Sequence, residues 1–177
     1  MFKDKQTVSD RMGHIMNVAM LKSLNLLDTD AEESFDEVVE VASALFEVPT
    51  ALISLLDLDR QWFKAKVGLE AEETALNISF CRYAVQRSDV TVVLDATADD
   101  RFRDNPLVTA KSGIRFYAGA PLIVGPRELR IGTLCLIDTT PRESFPLADV
   151  NLLQGLATIV SELIEGRAAK AAIASAA

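Results

Sequence analysis

The chain has 177 residues, of which 49% are hydrophobic and 25% charged, the balance of one folded domain rather than of a disordered chain. A chain of this length buries roughly 70% of its unfolded surface, so it can build a core without a disulfide or metal staple. With 18 basic against 26 acidic residues the net charge is −8, which repels phosphate backbones and anionic lipids and argues against nucleic acid and membrane as partners.

Residues 1–9 are polar and are expected to fray. The stretch from Met1 to Lys5 leads into no apolar segment of the signal-peptide kind, and no uninterrupted apolar run approaches the ~18 residues of a membrane span. A cytoplasmic protein is expected. From Asp10 to Leu27, the positions Ile15, Val18, Ala19, Leu21, Leu24 and Leu26 predict a first helix. Thr29-Asp30-Ala31-Glu32 then has capping-box spacing, ahead of a clear apolar stripe at Phe35, Val38, Val39, Ala42, Leu45 and Phe46. Pro49 ends that second helix.

Ala51–Leu56 and Gln61–Val67, joined through Asp57-Leu58-Asp59, predict a β-hairpin. Phe80–Arg87 reads as a short helix and Val90–Leu94 as a third strand. Asp95 to Lys111 holds four aspartates, with little periodicity, and reads as a long ordered loop with one helical turn. Ile114–Val124 and Leu129–Ile137 are two further strands around Gly125-Pro126-Arg127-Glu128. Pro146 opens a last helix carrying Val150, Leu153, Ala157, Val160 and Ile164, which leads into an Ala-rich tail.

Strands follow one another instead of alternating with helices, which predicts an antiparallel sheet in an α+β domain. In the last strand Ile131, Thr133, Cys135 and Ile137 alternate with Gly132, Leu134 and Leu136, so both faces of the sheet must be covered. The two long amphipathic helices cover one. The Asp95–Lys111 loop is left for the other, and a loop-roofed sheet face is a natural place for a small-molecule pocket.

His14 is the only histidine, and Cys81 and Cys135 lie far apart with no CxxC or HxxxH spacing, so neither a metal nor a cofactor is expected. Nothing in the sequence brings the two cysteines together, and both are expected to be free thiols.

The segments Val48 to Asp57, Arg60 to Ala65, Ser79-Phe80-Cys81, Asp99 to Phe102, Asn105 to Val108, Gly113 to Leu122 and Gly132 to Asp138 together resemble a GAF domain over residues 22–165. The resemblance implies a six-stranded antiparallel sheet with helices on one face and a loop-roofed pocket on the other. Residues 1–21 are then an N-terminal helical extension, and 166–177 an Ala-rich tail with no output domain expected beyond it. The Asn-Lys-Phe-Asp-Glu set of cyclic-nucleotide-binding members is not found. Cys81 is followed by Arg82 and Tyr83 rather than by the histidine of bilin-binding members.

Candidate ligand-binding residues are Arg115, Tyr117, Cys81, Asp95, Arg101, Phe102 and Trp62. Arg115 and Tyr117 alternate with Phe116 and so share a face, where a guanidinium beside a phenol suits a carboxylate or phosphate. The competing reading has Arg115 paired with Asp95, Asp99 or Asp104, pinning the roof loop, with Arg101-Phe102 anchoring it similarly. Cys81, opening a short helix, is either a reactive thiol or a small buried hydrophobe. Trp62, expected exposed or half-buried, either stacks on a ligand or packs.

The resemblance implies a non-enzymatic sensor or regulatory module, whose pocket binds a small molecule or binds nothing and serves for dimerisation, working as a homodimer through its terminal helices with a downstream signalling protein. If a ligand is bound, Arg115 and Tyr117 under the polar Asp95–Lys111 loop point to a small anionic or polar one. The alternative is a thiol-based reductase of the free-methionine-sulfoxide type using Cys81.

Overall fold

The computed structural model describes residues 8–175, so the expectation for residues 1–7 and the last two of the tail lie outside the described residues. The chain runs α1 (Val8–Ser23), α2 (Glu33–Leu45), β1 (Thr50–Leu56), β2 (Arg60–Val67), β3 (Glu73–Ala75), a 3-10 turn (Leu76–Ile78) and α3 (Cys81–Ala84). It continues through β4 (Thr91–Val93), α4 (Pro106–Thr109), β5 (Phe116–Val124), β6 (Leu129–Asp138) and α5 (Leu147–Ser175). The strands form one six-stranded antiparallel sheet in the order β3-β2-β1-β6-β5-β4. Periodicity alone does not reveal β3, because three residues are too few to show alternation. It is held at the edge by Arg60 and Gln61 of β2, which reach Glu73 and Thr74.

Each face of the sheet carries its own apolar cluster. On one, Phe35, Val39 and Ala42 of α2 and Leu153, Ala157, Val160 and Ile164 of α5 pack on Ile53, Leu55, Leu134 and Leu136. Leu21 of α1 joins them, so three helices rather than two cover this face. On the other face, Leu52, Leu56, Phe63, Tyr117 and Cys135 lie beneath α3 and the segment carrying Phe102 and Val108. Each fully buried Leu or Phe contributes about 1.5–3 kcal/mol relative to exposure.

Two bulges change which face residues occupy. Ile53 pairs with Ala65 and Ser54 with Phe63, so Lys64 is an extra residue, and Ala65 joins the helix-side core while Phe63 faces the roof. Leu122 pairs with Gly132 and Ile123 with Arg130, which makes Ile131 the extra residue of β6. Ile131 therefore packs with Leu134 and Leu136 on the helix side, not with Cys135 as plain alternation predicts.

The capping box does not form. The Thr29 hydroxyl donates to Leu26 O at 2.8 Å, and the N-cap of α2 is Glu32, which makes no side-chain cap. Glu32 is drawn away by a buried cation: Lys64 Nζ, with its side chain fully buried, donates to Glu32 Oε1 at 2.7 Å, to Thr29 Oγ1 at 3.0 Å and to Asp30 O at 2.6 Å. Satisfying a buried ammonium outweighs capping a helix. Arg167 also donates to Glu32 Oε1, at 2.8 Å.

The helix α5 has 29 residues and continues through the Ala-rich segment. Its stretch Leu147–Ala174 is long and apolar enough to cross a membrane by length and composition, which a count of uninterrupted apolar runs overlooks. Its stripe from Leu153 to Ile164 is nonetheless buried against the sheet, as in the core helix of a globular domain.

Candidate functional site on the loop-roofed face

The roof is tied down by backbone. Asn105 caps α4 by accepting from Leu107 N at 2.9 Å, with Pro106 at the first helical position, and its amide donates to Ile78 O at 2.9 Å. Ile114 N donates to Leu107 O, and Ala96 N to Arg115 O. Arg115, half-buried just ahead of β5, donates through Nη1 to Val108 O at 2.9 Å and Ile114 O at 3.1 Å. Arg115 thus pins the roof loop, as the competing reading has it, but through carbonyls. The aspartates are engaged locally: Asp95 accepts from Thr97, and Asp99 from Arg101.

Beneath the roof, Tyr117, Cys81 and Phe102 come together. Phe80 stacks on Phe102 with centroids 4.0 Å apart and a 6° interplanar angle, Tyr83 meets Phe102 edge-on, and Tyr117 lies 5.2 Å from Phe80. These rings occupy the space under the roof, and Tyr117 and Phe102 are fully buried. The phenol of Tyr117 donates to Cys81 Sγ at 3.5 Å. It lies over Gly119, where a Cβ would meet the phenolic oxygen at 2.2 Å. A glycine two positions along a strand from a tyrosine is the sequence signal for this close approach.

Cys81 and Cys135 are not separated, contrary to expectation: their sulfurs lie 3.9 Å apart. Cys135 faces the roof from β6, and α3 sets Cys81 directly above it. Hydrogen bonding with the Cys135 thiol, ahead of the opposing cost of burial, lowers Cys81 to about 6, while Cys135 and Tyr117 are pushed up. Both thiols are free and buried.

Further polar groups on this face escape sequence reasoning. Gln61 Oε1 accepts from the hydroxyls of Ser54, at 3.3 Å, and Ser79, while its amide donates to Thr74 Oγ1 at 2.7 Å. Ser54, Gln61 and Ser79 are all buried. Trp62 and Arg101 do not join the group. Trp62 is buried in the helix-side core, not exposed or half-buried, because neighbouring strand residues alternate faces. Arg101 lies outside the roof, 42% exposed, over the Phe102 ring and paired with Asp99.

Open space reaches this side at the end of the sheet that carries the β1–β2 turn. There a cleft of about 720 Å³ runs between α1, the β1–β2 turn and α3. Its inner wall is Leu56, Leu76 and Val85, part of the roof-side apolar cluster. Its polar rim includes Arg82, Arg130, His14 and Asn17.

Comparison with known proteins agrees with this geometry. The GAF domain family matches residues 30–164. A cyclic di-GMP phosphodiesterase of Pseudomonas aeruginosa is 46% identical over 142 residues, covering 80% of this chain, while the chain spans 24% of that protein's length. Among solved structures, the GAF domain of an Acinetobacter phosphoenolpyruvate-protein phosphotransferase superposes with a TM-score of 0.63 at 20% identity, covering 90% of this chain and 97% of the other. A free methionine-R-sulfoxide reductase from Neisseria meningitidis in complex with its substrate superposes with a TM-score of 0.63 at 18% identity, covering 97% and 99%. These structural likenesses speak to the fold alone. With the family match spanning most of the chain and the sheet, helices and roof in place, this protein belongs to the GAF domain family.

Proposed function

We propose that the protein is a non-enzymatic sensing module of the cytoplasm, which binds a small polar or anionic molecule on the roof side of its sheet and passes its state on through a homodimer. The observation that carries this reading is the make-up of the roof side, where hydroxyl, amide and thiol groups are buried among aromatic rings, with a cleft opening onto the same cluster. Ser54, Gln61, Ser79, Cys81 and Tyr117 pair with one another, but Thr133 Oγ1 on the same face is buried without a partner among the described residues, a cost that a polar ligand relieves. The 46% identity to part of a cyclic di-GMP phosphodiesterase supports a regulatory setting with a downstream signalling partner. That enzyme's catalysis is not carried over, since the chain covers only 24% of it.

Dimerisation is supported by apolar side chains left in solvent on the terminal helices: Met12, Ile15 and Met16 on α1, and Leu152 and Ile159 on α5. A second copy of the chain buries such a surface symmetrically.

The second reading, a thiol reductase, draws on the 3.9 Å approach of Cys81 and Cys135. Burial of both sulfurs under an aromatic stack counts against it, because a nucleophilic thiol must reach its substrate. Incubation with free methionine sulfoxide and a dithiol reductant tests the choice. No consumption is expected. Steady consumption that disappears in Cys81→Ser overturns the non-enzymatic reading.

A further inference from the structure

The cleft between α1 and α3 differs in charge from the rest of the molecule. The protein carries a net charge of −8, yet the polar rim holds Arg82, Arg130 and His14 and a single carboxylate, Asp59. Two of its donor-bearing atoms are buried and have no hydrogen-bond partner among the described residues: Arg130 Nε and His14 Nε2. A guanidinium N–H can only donate, and leaving it unsatisfied costs about 1–3 kcal/mol. An acceptor-rich group in the cleft removes that cost. The same cleft is also lined by the apolar side chains of Leu56, Leu76 and Val85.

We propose that this cleft is the binding site for a small organic anion whose phosphate or carboxylate head is held by Arg130 and Arg82 and whose apolar body lies on Leu56, Leu76 and Val85. The site rests on the sensing reading and places the ligand at the end of the sheet instead of beneath the roof loop. It also gives the ligand a route to the dimer. His14 and Asn17 belong to α1, and Asn17 Oδ1 already accepts from Arg130 N at 3.2 Å, so the anion-binding residue of β6 is tied to the helix. Met12, Ile15 and Met16 are exposed on that same helix. An occupant that engages both His14 and Arg130 fixes α1 against the sheet, and thereby fixes the apolar surface offered to a second copy.

The probe is phenyl phosphate, with benzyl alcohol as its neutral counterpart, titrated into the full chain and followed by NMR at the Arg130 Nε–H and at the backbone amides of Arg82 and Gln86. Phenyl phosphate is expected to shift these signals saturably. The affinity read at the amides should fall about tenfold or more in Arg130→Gln and in Arg82→Gln. Arg127→Gln, which removes the same charge from an exposed position nearby, should leave it unchanged. Thermal unfolding of each variant confirms that it is folded, and with two cleft variants the failure of one to fold still leaves a reading. Equal affinity in wild type and both cleft variants, a matching loss in Arg127→Gln, equal response to benzyl alcohol, or no saturation by about 10 mM overturns the site. Those outcomes leave the sensing reading standing. That reading fails separately if no small molecule binds the protein at all in native mass spectrometry.

Discussion

Gly119 and Tyr117 offer the sharpest test of how the roof side is filled. In Gly119→Ala the new methyl would stand 2.2 Å from the phenolic oxygen, 2.7 Å from Cζ and 2.9 Å from Cε1 of Tyr117. Ordinary contact needs about 3.5–4.0 Å, so the ring must move by more than an ångström. It has little room, being fully buried against Phe80 and bonded to Cys81. Overpacking of this kind costs about 1–3 kcal/mol, and losing the phenol's hydrogen bond adds about 0.5–1.5 kcal/mol. A total near 2–4 kcal/mol lowers the melting temperature by roughly 4–16 °C for a chain of this size. Urea and thermal unfolding measure it. Tyr117→Leu removes the obstacle, so Gly119→Ala in that background should cost at least about 1 kcal/mol less than in the wild type. A Gly119→Ala protein within about 0.5 kcal/mol of wild type would refute the packing described for Tyr117.

Three further outcomes follow from the same geometry. Glu32→Gln deprives buried Lys64 of its carboxylate; breaking a buried pair costs about 3–5 kcal/mol, reduced to about 2 because Glu32 is 35% exposed and Lys64 keeps Thr29 and Asp30. Burial raises the Glu32 pKa, but its bonds to Lys64 and Arg167 outweigh that and hold it below the usual range. Its stabilising effect is therefore complete above ~4.3, the unfolded value, and lost as pH falls through the folded one, so urea unfolding of wild type and Glu32→Gln should converge in acid. Thiol titration should find two thiols per chain after denaturation without reductant and no fast-reacting thiol in the native protein, since both are buried. Met12→Glu with Ile15→Glu should convert a sedimenting dimer to monomer with the melting temperature preserved, both side chains being exposed on α1.

Much of the fold was legible because its signals are local. The stripe from Phe35 to Phe46, the paired apolar runs around Asp57-Leu58-Asp59, and Pro146 ahead of the stripe from Val150 to Ile164 each specify an element within a few residues. What escaped depends on partners distant in sequence. Lys64 needs a carboxylate, and meeting that need dissolves the capping box at Thr29 and Glu32. The bulge at Ile131 is visible only in its pairing with β5. The meeting of Cys81 with Cys135 spans 54 positions and follows from α3 crossing β6, a matter of topology that no spacing rule encodes. Of the candidate site, Tyr117, Phe102 and Cys81 were legible from motif and alternation. Arg82 and Arg130 were not, since each looks like an ordinary surface cation until the fold brings α3 and β6 to one cleft beside α1.

The central claim is that the protein recognises a small molecule and performs no chemistry on it. Native mass spectrometry of the full chain, incubated with a small-molecule extract of cells and sprayed under non-denaturing conditions, tests this most directly. The account predicts a folded species heavier than the chain by one small polar or anionic molecule per subunit, released unchanged on unfolding. A spectrum showing only the bare chain, or a bound molecule released in altered form, would contradict it.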